Sequence, residues 1–217
     1  MIEAIKFALR YDPSPNPRVG AVLVDKNNQI KKITAHKEKD KDHAEYNLVK
    51  NSDITDGNFT DNISLPVAII EYIKTNTEYV VDTHLMLNNN ELFTSKAFEF
   101  GSDIVTVHCE TTSPELFSSL VNKHNNVGIG ILPSTDINVL SDYIDNAHSV
   151  LLLTVNPGFS NQSKAVNLLD RITEFKNTYP NYSNLLIVDG GVKNEELQTL
   201  RDLKVDIAVQ GGAIFAK

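Results

Sequence analysis

Asp53, His84, His108, Asn156 and Asp189 lie in or just after the carboxyl-terminal parts of strand-like runs. In a barrel of parallel strands, polar residues at the carboxyl ends of strands form the active-site face. Glycines follow several of them: Gly57, Gly158, the pair Gly190 and Gly191, and the pair Gly211 and Gly212. The two pairs follow the strands that would be numbered seven and eight, where backbone N–H groups commonly bind phosphate. Each residue also has a plainer reading. A lone Asp at a strand end serves as a helix cap or turn residue. A lone His packs or faces solvent, and a glycine pair makes an ordinary turn.

The elements that must position these residues alternate after residue 51. Strand-like runs fall at 79–86, 103–108, 127–132, 149–155, 185–189 and 206–210, with a weaker one at 52–55. Helical segments lie between them at 66–76, 91–100, 114–123, 137–145, 163–179 and 194–203. Ser113 before Pro114 and Glu115 is a strong helix start, because Pro tolerates only the first helical turn. Repeated β-α units predict a parallel sheet with right-handed crossovers. The fold class is therefore α/β, like a (β/α)8 TIM barrel. A closed barrel needs eight strands, one more than the seven counted here.

Residues 1–50 differ in character. Ile2, Ile5, Ala8 and Leu9 recur at helical spacing. The prolines at 13, 15 and 17 then end any helix. Residues 19–24 read as a buried strand, 25–28 as a turn and 29–34 as a partner strand. Residues 37–42 carry mixed charges expected of a solvated loop.

Composition excludes several classes. The chain has 217 residues, 41% of them hydrophobic, which suits a folded domain rather than a disordered one. A net charge of −8 with no basic block argues against nucleic acid as a partner. One cysteine, Cys109, excludes an internal disulfide and a Cys-rich zinc site. No apolar run approaches the roughly 20 residues of a membrane span. The first twelve residues lack a signal-peptide pattern, so a cytoplasmic location is expected.

Six motifs stand in order along residues 51–215: 53–59 (DITDGNF), 82–86 (DTHLM), 106–108 (TVH), 154–159 (TVNPGF), 188–191 (VDGG) and 211–215 (GGAIF). Through them this part of the chain resembles the ribulose-phosphate 3-epimerase family. The resemblance implies an isomerase that inverts C3 of a ketopentose 5-phosphate, D-ribulose 5-phosphate to D-xylulose 5-phosphate, in carbohydrate metabolism of the pentose phosphate type. It casts Asp53 and Asp189 as the two catalytic acids, because a single base would return the proton to the same face. It implies a divalent metal, zinc, manganese or iron, on Asp53, His84 and Asp189. Asn51 stands where the family has a further His, so the ion is expected to bind weakly. His108 and Cys109 fit a packed strand end and are left out of the metal set. Met86, Asn156, Gly158, Gly190, Gly191, Gly211 and Gly212 would contact substrate or its phosphate.

Residues 1–50 hold different motifs, 14–22 (SPNPRVGAV) and His43, Ala44 and Glu45. Through them this segment instead resembles the start of a riboflavin-biosynthesis deaminase of the cytidine-deaminase-like class. The later Pro-Cys-x-x-Cys ligands of that class do not occur, and one His cannot close a zinc site, so deaminase activity is not expected. The chain thus reads as a deaminase-like fragment, 1–50, joined to an epimerase-like barrel, 51–217. In that barrel the first β-α unit is replaced and the last helix is missing. Residues 19–24 are expected to fill the first barrel position, or the barrel to stay open there, and Ile2, Ile5 and Leu9 to cover the last strand, with a homo-oligomer as the second way to cover it. The competing reading is an impaired chimera, or a non-catalytic remnant that binds a sugar phosphate or a partner subunit.

Overall fold

The computed structural model describes residues 53–77, 79–158 and 162–210. Among them a single sheet holds seven strands: β1 (Asp53–Thr55), β2 (Asp82–Met86), β3 (Ile104–His108), β4 (Val127–Ile131), β5 (Ser149–Leu153), β6 (Leu185–Asp189) and β7 (Ile207–Ala208). Every neighbouring pair is parallel, and the spatial order follows the chain. Helices α1 (Ile69–Asn76), α2 (Asn90–Glu99), α3 (Pro114–Lys123), α4 (Leu168–Thr178) and α5 (Leu197–Asp202) fall between strands. The gap between β4 and β5 is bridged by a 3-10 helix, Ile137–Asp142.

Alternation along the strands sorts the side chains into two populations. Ile54, Leu85, Val105, Val107, Ile129, Val150, Leu152, Leu186 and Val188 share a core with Ile70, Ile73, Phe117, Leu120, Ile172 and Phe175 of the helices. On the other face Leu151, Leu153, Ile187, Ile207 and Val209 form a separate cluster. That second face can be buried only if the sheet rolls. A flat sheet would hold β1 and β6 about 24 Å apart, five spacings of about 4.8 Å. Yet ligand atoms of Asp53 and Asp189, one on each, lie within 4.8 Å. The sheet is therefore curled in the manner of a TIM-type barrel.

Several predicted boundaries move inward for local reasons. The run 79–86 enters the sheet only at Asp82, since the N–H of Val81 donates to the Asp103 carboxylate at 2.7 Å. The helix expected from 163 starts at Leu168, because Asn167 caps it by accepting from the N–H groups of Leu169 and Asp170. Ahead of that cap, Ala165 donates its N–H to the Thr154 carbonyl, tying the segment to the end of β5. The stretch 137–145 tightens to a 3-10 helix; the Asp136 side chain takes the Asn138 N–H, and such local bonds compete with α-helix. Residues 194–203 divide into a 3-10 turn, Asn194–Glu196, and α5. The start at Pro114 holds, with the Ser113 hydroxyl accepting from the Leu116 N–H.

The expectations for residues 1–50, for Asn51, and for Gly211 and Gly212 lie outside the described residues. Among the described residues no helix is long and apolar enough to cross a membrane.

Candidate active site

Asp53 opens β1 and pairs in register with His84 of β2, so the two side chains emerge side by side on the inner face. His84 Nδ1 lies 3.1 Å from Asp53 Oδ1. Asp189, the last residue of β6, enters from the far side of the rolled sheet and places Oδ2 3.8 Å from the same nitrogen. Ser64 holds the short strand β1 in place: its hydroxyl donates to the Asp53 carbonyl and accepts from the Thr55 N–H at 2.9 Å. Beyond β1, the Asp56 carboxylate accepts from the backbone N–H groups of Asn58, Phe59 and Asn88, binding this loop to the one after β2.

Asp189 needs a sharp turn behind it, and Gly190 supplies it. Its φ is +107°, and an added Cβ would meet Thr154 Oγ1 at 2.8 Å and the Val155 backbone nitrogen at 2.9 Å. Thr154 completes the support, with its N–H donating to the Asp189 carbonyl at 2.8 Å and its hydroxyl to the Gly190 carbonyl at 2.5 Å.

The charges here are confined. His84 and Asp189 side chains are 6% and 16% exposed. Burial, and then the negative charge of Asp53, push the Asp189 carboxyl above the usual carboxylate range. Burial alone would lower the His84 imidazole, but the Asp53 hydrogen bond and the charges of Asp53, Asp189 and Asp82 raise it. Asp82, at the start of β2, is pushed up to about 6 by burial, with opposing contributions from His84 and Asp53.

Asp53, His84 and Asp189 each offer one ligand atom, all within 4.8 Å of one another. Two carboxylate oxygens and an imidazole nitrogen suit a divalent ion such as zinc, manganese or iron. A cation would also relieve the repulsion that raises Asp189. The donor set therefore fits the expected group.

The other candidates fall as follows. Met86, two residues past His84 on the same strand face, is buried. Gly158 has φ +112°, and the place of its absent Cβ is taken by the Thr60 hydroxyl. Asn156 is exposed, and its carbonyl accepts from the Gln162 side chain at 2.7 Å. Gly191 follows Gly190 with φ +63°.

Sequence reasoning placed His108 in a packed strand end, and it is fully buried; it is also bonded to the cluster. His108 Nε2 lies 2.7 Å from His84 Nε2, and its Nδ1 lies 3.0 Å from Glu110 Oε2. Space for the ring comes from β4, where an added Cβ on Gly130 would touch three of its atoms at 3.1–3.3 Å. The period-2 spacing of Thr106 and His108, opposite Gly128 and Gly130, was the available signal.

Comparison with known proteins bears on the family and the rolled sheet. The family model described as "Ribulose-phosphate 3 epimerase family" matches residues 23–215. Ribulose-phosphate 3-epimerase of Treponema pallidum (strain Nichols) is 29% identical over 168 residues, 76% of this chain and 77% of that protein. The Bacillus subtilis (strain 168) protein of the same name is 30% identical over 171 residues, 76% and 78% of the two chains. Among solved structures, 3-hexulose-6-phosphate synthase from Salmonella typhimurium superposes with a TM-score of 0.54 at 17% identity, covering 70% of this chain and 72% of that one, a likeness of fold alone. With its rolled parallel sheet and the extent of these matches, the chain belongs to the ribulose-phosphate 3-epimerase family and is an epimerase.

Proposed function

We propose that this epimerase interconverts D-ribulose 5-phosphate and D-xylulose 5-phosphate by transferring protons at C3 with two carboxylates, Asp53 and Asp189. One observation carries the reading: carboxylates from strands at opposite sides of the sheet converge on one buried imidazole nitrogen. Inversion requires proton carriers on both faces of the reacting carbon, and entry from opposite strands suits that need. The names of the relatives give ribulose phosphate as the class of substrate and C3 as the centre inverted.

In this reading one Asp removes the proton α to the carbonyl, and the other delivers a proton to the opposite face. The inner apolar cluster of Leu151, Leu153, Ile187, Ile207 and Val209 forms a dry floor, which strengthens electrostatic interactions above it. His84 holds the Asp53 carboxylate in position. Asp53, His84 and Asp189 hold a divalent ion, weakly because Asn51 stands at the further ligand position. When bound, that ion supplies fixed positive charge against the negative charge that develops on the substrate oxygens. Met86 caps the site, while Asn156, Gly158, Gly190, Gly191, Gly211 and Gly212 receive substrate and its phosphate.

The same reading keeps a deaminase-like segment at 1–50 ahead of the barrel at 51–217. A coupled assay of D-ribulose 5-phosphate turnover, with zinc or manganese added, tests the activity. Conversion that depends on Asp189 supports the reading; no conversion with either metal overturns it.

A further inference from the structure

Behind His84, away from the two aspartates, a line of polar groups runs through the buried interior and ends on a carboxylate. His84 Nε2 meets His108 Nε2 at 2.7 Å, and His108 Nδ1 meets Glu110 Oε2 at 3.0 Å. The imidazole planes are 26° apart with centroids at 4.9 Å. With the two nitrogens so close, that separation means contact edge to edge, as an N–H···N bond requires. The His108 side chain is fully buried and that of Glu110 is 18% exposed.

Glu110 is held from its other side. Its Oε1 accepts from the Leu132 N–H at 2.8 Å and the Thr135 hydroxyl at 2.6 Å. The loop supplying both donors is fixed in turn by Arg171, which donates to the Thr135 carbonyl at 2.6 Å.

An ionised carboxylate only accepts, so His108 must donate from Nδ1. A neutral imidazole that donates from one nitrogen accepts at the other, so His108 Nε2 accepts. The shared proton of the pair then belongs to His84 Nε2. We propose that Glu110, acting through His108, fixes one ring proton of His84 on Nε2, so that Nδ1, which bonds Asp53 and faces Asp189, is the nitrogen that gives up its proton to take a metal. Glu110 and His108 are positioning residues, and the proposal rests on the metal reading above only for its effect on affinity. Ligating imidazoles whose other nitrogen is held by a partner bind more tightly, and losing such a partner typically costs 10–100-fold in affinity.

The substitution Glu110→Gln tests the order of protons. The glutamine has one acceptor oxygen; if Leu132 and Thr135 retain it, the amide N–H points at His108 Nδ1 and reverses the chain. Ring 15N spectra of the metal-free parent are expected to show His108 protonated on Nδ1 and bare on Nε2. Zinc affinity, read by competition with a chelating dye, is expected to fall 10–100-fold in Glu110→Gln. The opposite tautomer at His108 overturns the proposal, as does equal zinc affinity in a Glu110→Gln protein whose circular dichroism matches the parent. If that variant does not fold, the parent's ring spectrum decides. A parent that binds no zinc would count against the metal reading alone, because the ring spectrum is measured without metal.

Discussion

Asp189 Oδ2 lies 3.8 Å from His84 Nδ1, although their strands, β6 and β2, are four places apart in the sheet. The contact exists because the sheet is rolled, and it gathers negative charge from two directions around one buried ring. In the proposed function, stability, metal binding and chemistry are all coupled through it.

Metal removal should therefore destabilise the protein. A cation held by Asp53, His84 and Asp189 binds only the folded state, where the three groups converge. At zinc concentrations 100 times the dissociation constant, the added stability is about 2.7 kcal/mol. Thermal melts with zinc and with a chelator should differ by several degrees, and Asp189→Asn should shrink the difference. An identical midpoint with and without zinc would argue against the site.

Acid should weaken the Glu110 anchor. Burial alone would raise this carboxyl, but hydrogen bonds from His108, Thr135 and the Leu132 N–H bring it down to about 2. A carboxyl lowered in the folded state contributes stability above its unfolded value, and loses it as pH falls toward the folded value. The parent should lose more stability than Glu110→Gln between about pH 4.5 and about pH 2. Denaturant titrations across that window check this; parallel curves would contradict it.

Gly190→Ala should cost about 1–3 kcal/mol, from forcing a side chain into left-handed backbone and onto its neighbours. The Cβ would press on the Val155 backbone nitrogen at 2.9 Å, which cannot swing aside as a side chain can. The turn carrying Asp189 would shift with it. Urea unfolding gives the stability loss, and turnover should fall with it; a neutral substitution would mean that the turn is looser than described.

Asn51→His tests the weak-binding expectation. Asn51 stands two residues before Asp53, where the family pattern has a metal-binding His. Restoring the imidazole should raise zinc affinity roughly tenfold or more, by analogy with the 10–100-fold cost of lesser losses. Equal affinities in parent and variant would remove Asn51 as the cause of weak binding.

The order of elements was readable in the sequence because apolar runs and helical periodicity are local signals. Ser113 and Pro114 start α3 as their chemistry dictates. The boundaries at Asp82 and Leu168 were not readable, since they depend on Asp103 and Asn167 side chains capturing backbone N–H groups. Asp53, His84 and Asp189 were legible as a set through the family motifs, and the structure brings them together. The link from His84 to Glu110 was not. Taken alone, a buried His at a strand end looks like packing; the spacing of Thr106 and His108 against Gly128 and Gly130 signals room for a ring but names neither His84 nor Glu110 as its partner.

The central claim is that Asp53 and Asp189 serve opposite faces of C3. The most direct test runs the reaction in deuterium oxide with added zinc or manganese, and follows C3 by NMR for the parent, Asp53→Asn and Asp189→Asn. The account predicts deuterium at C3 of the product from the parent, and epimerisation reduced at least 100-fold in each variant. Each variant should retain exchange without inversion from only one of the two epimers, a different one in each case. Epimerisation at the parental rate in either variant, or product formed by the parent without deuterium at C3, would contradict it.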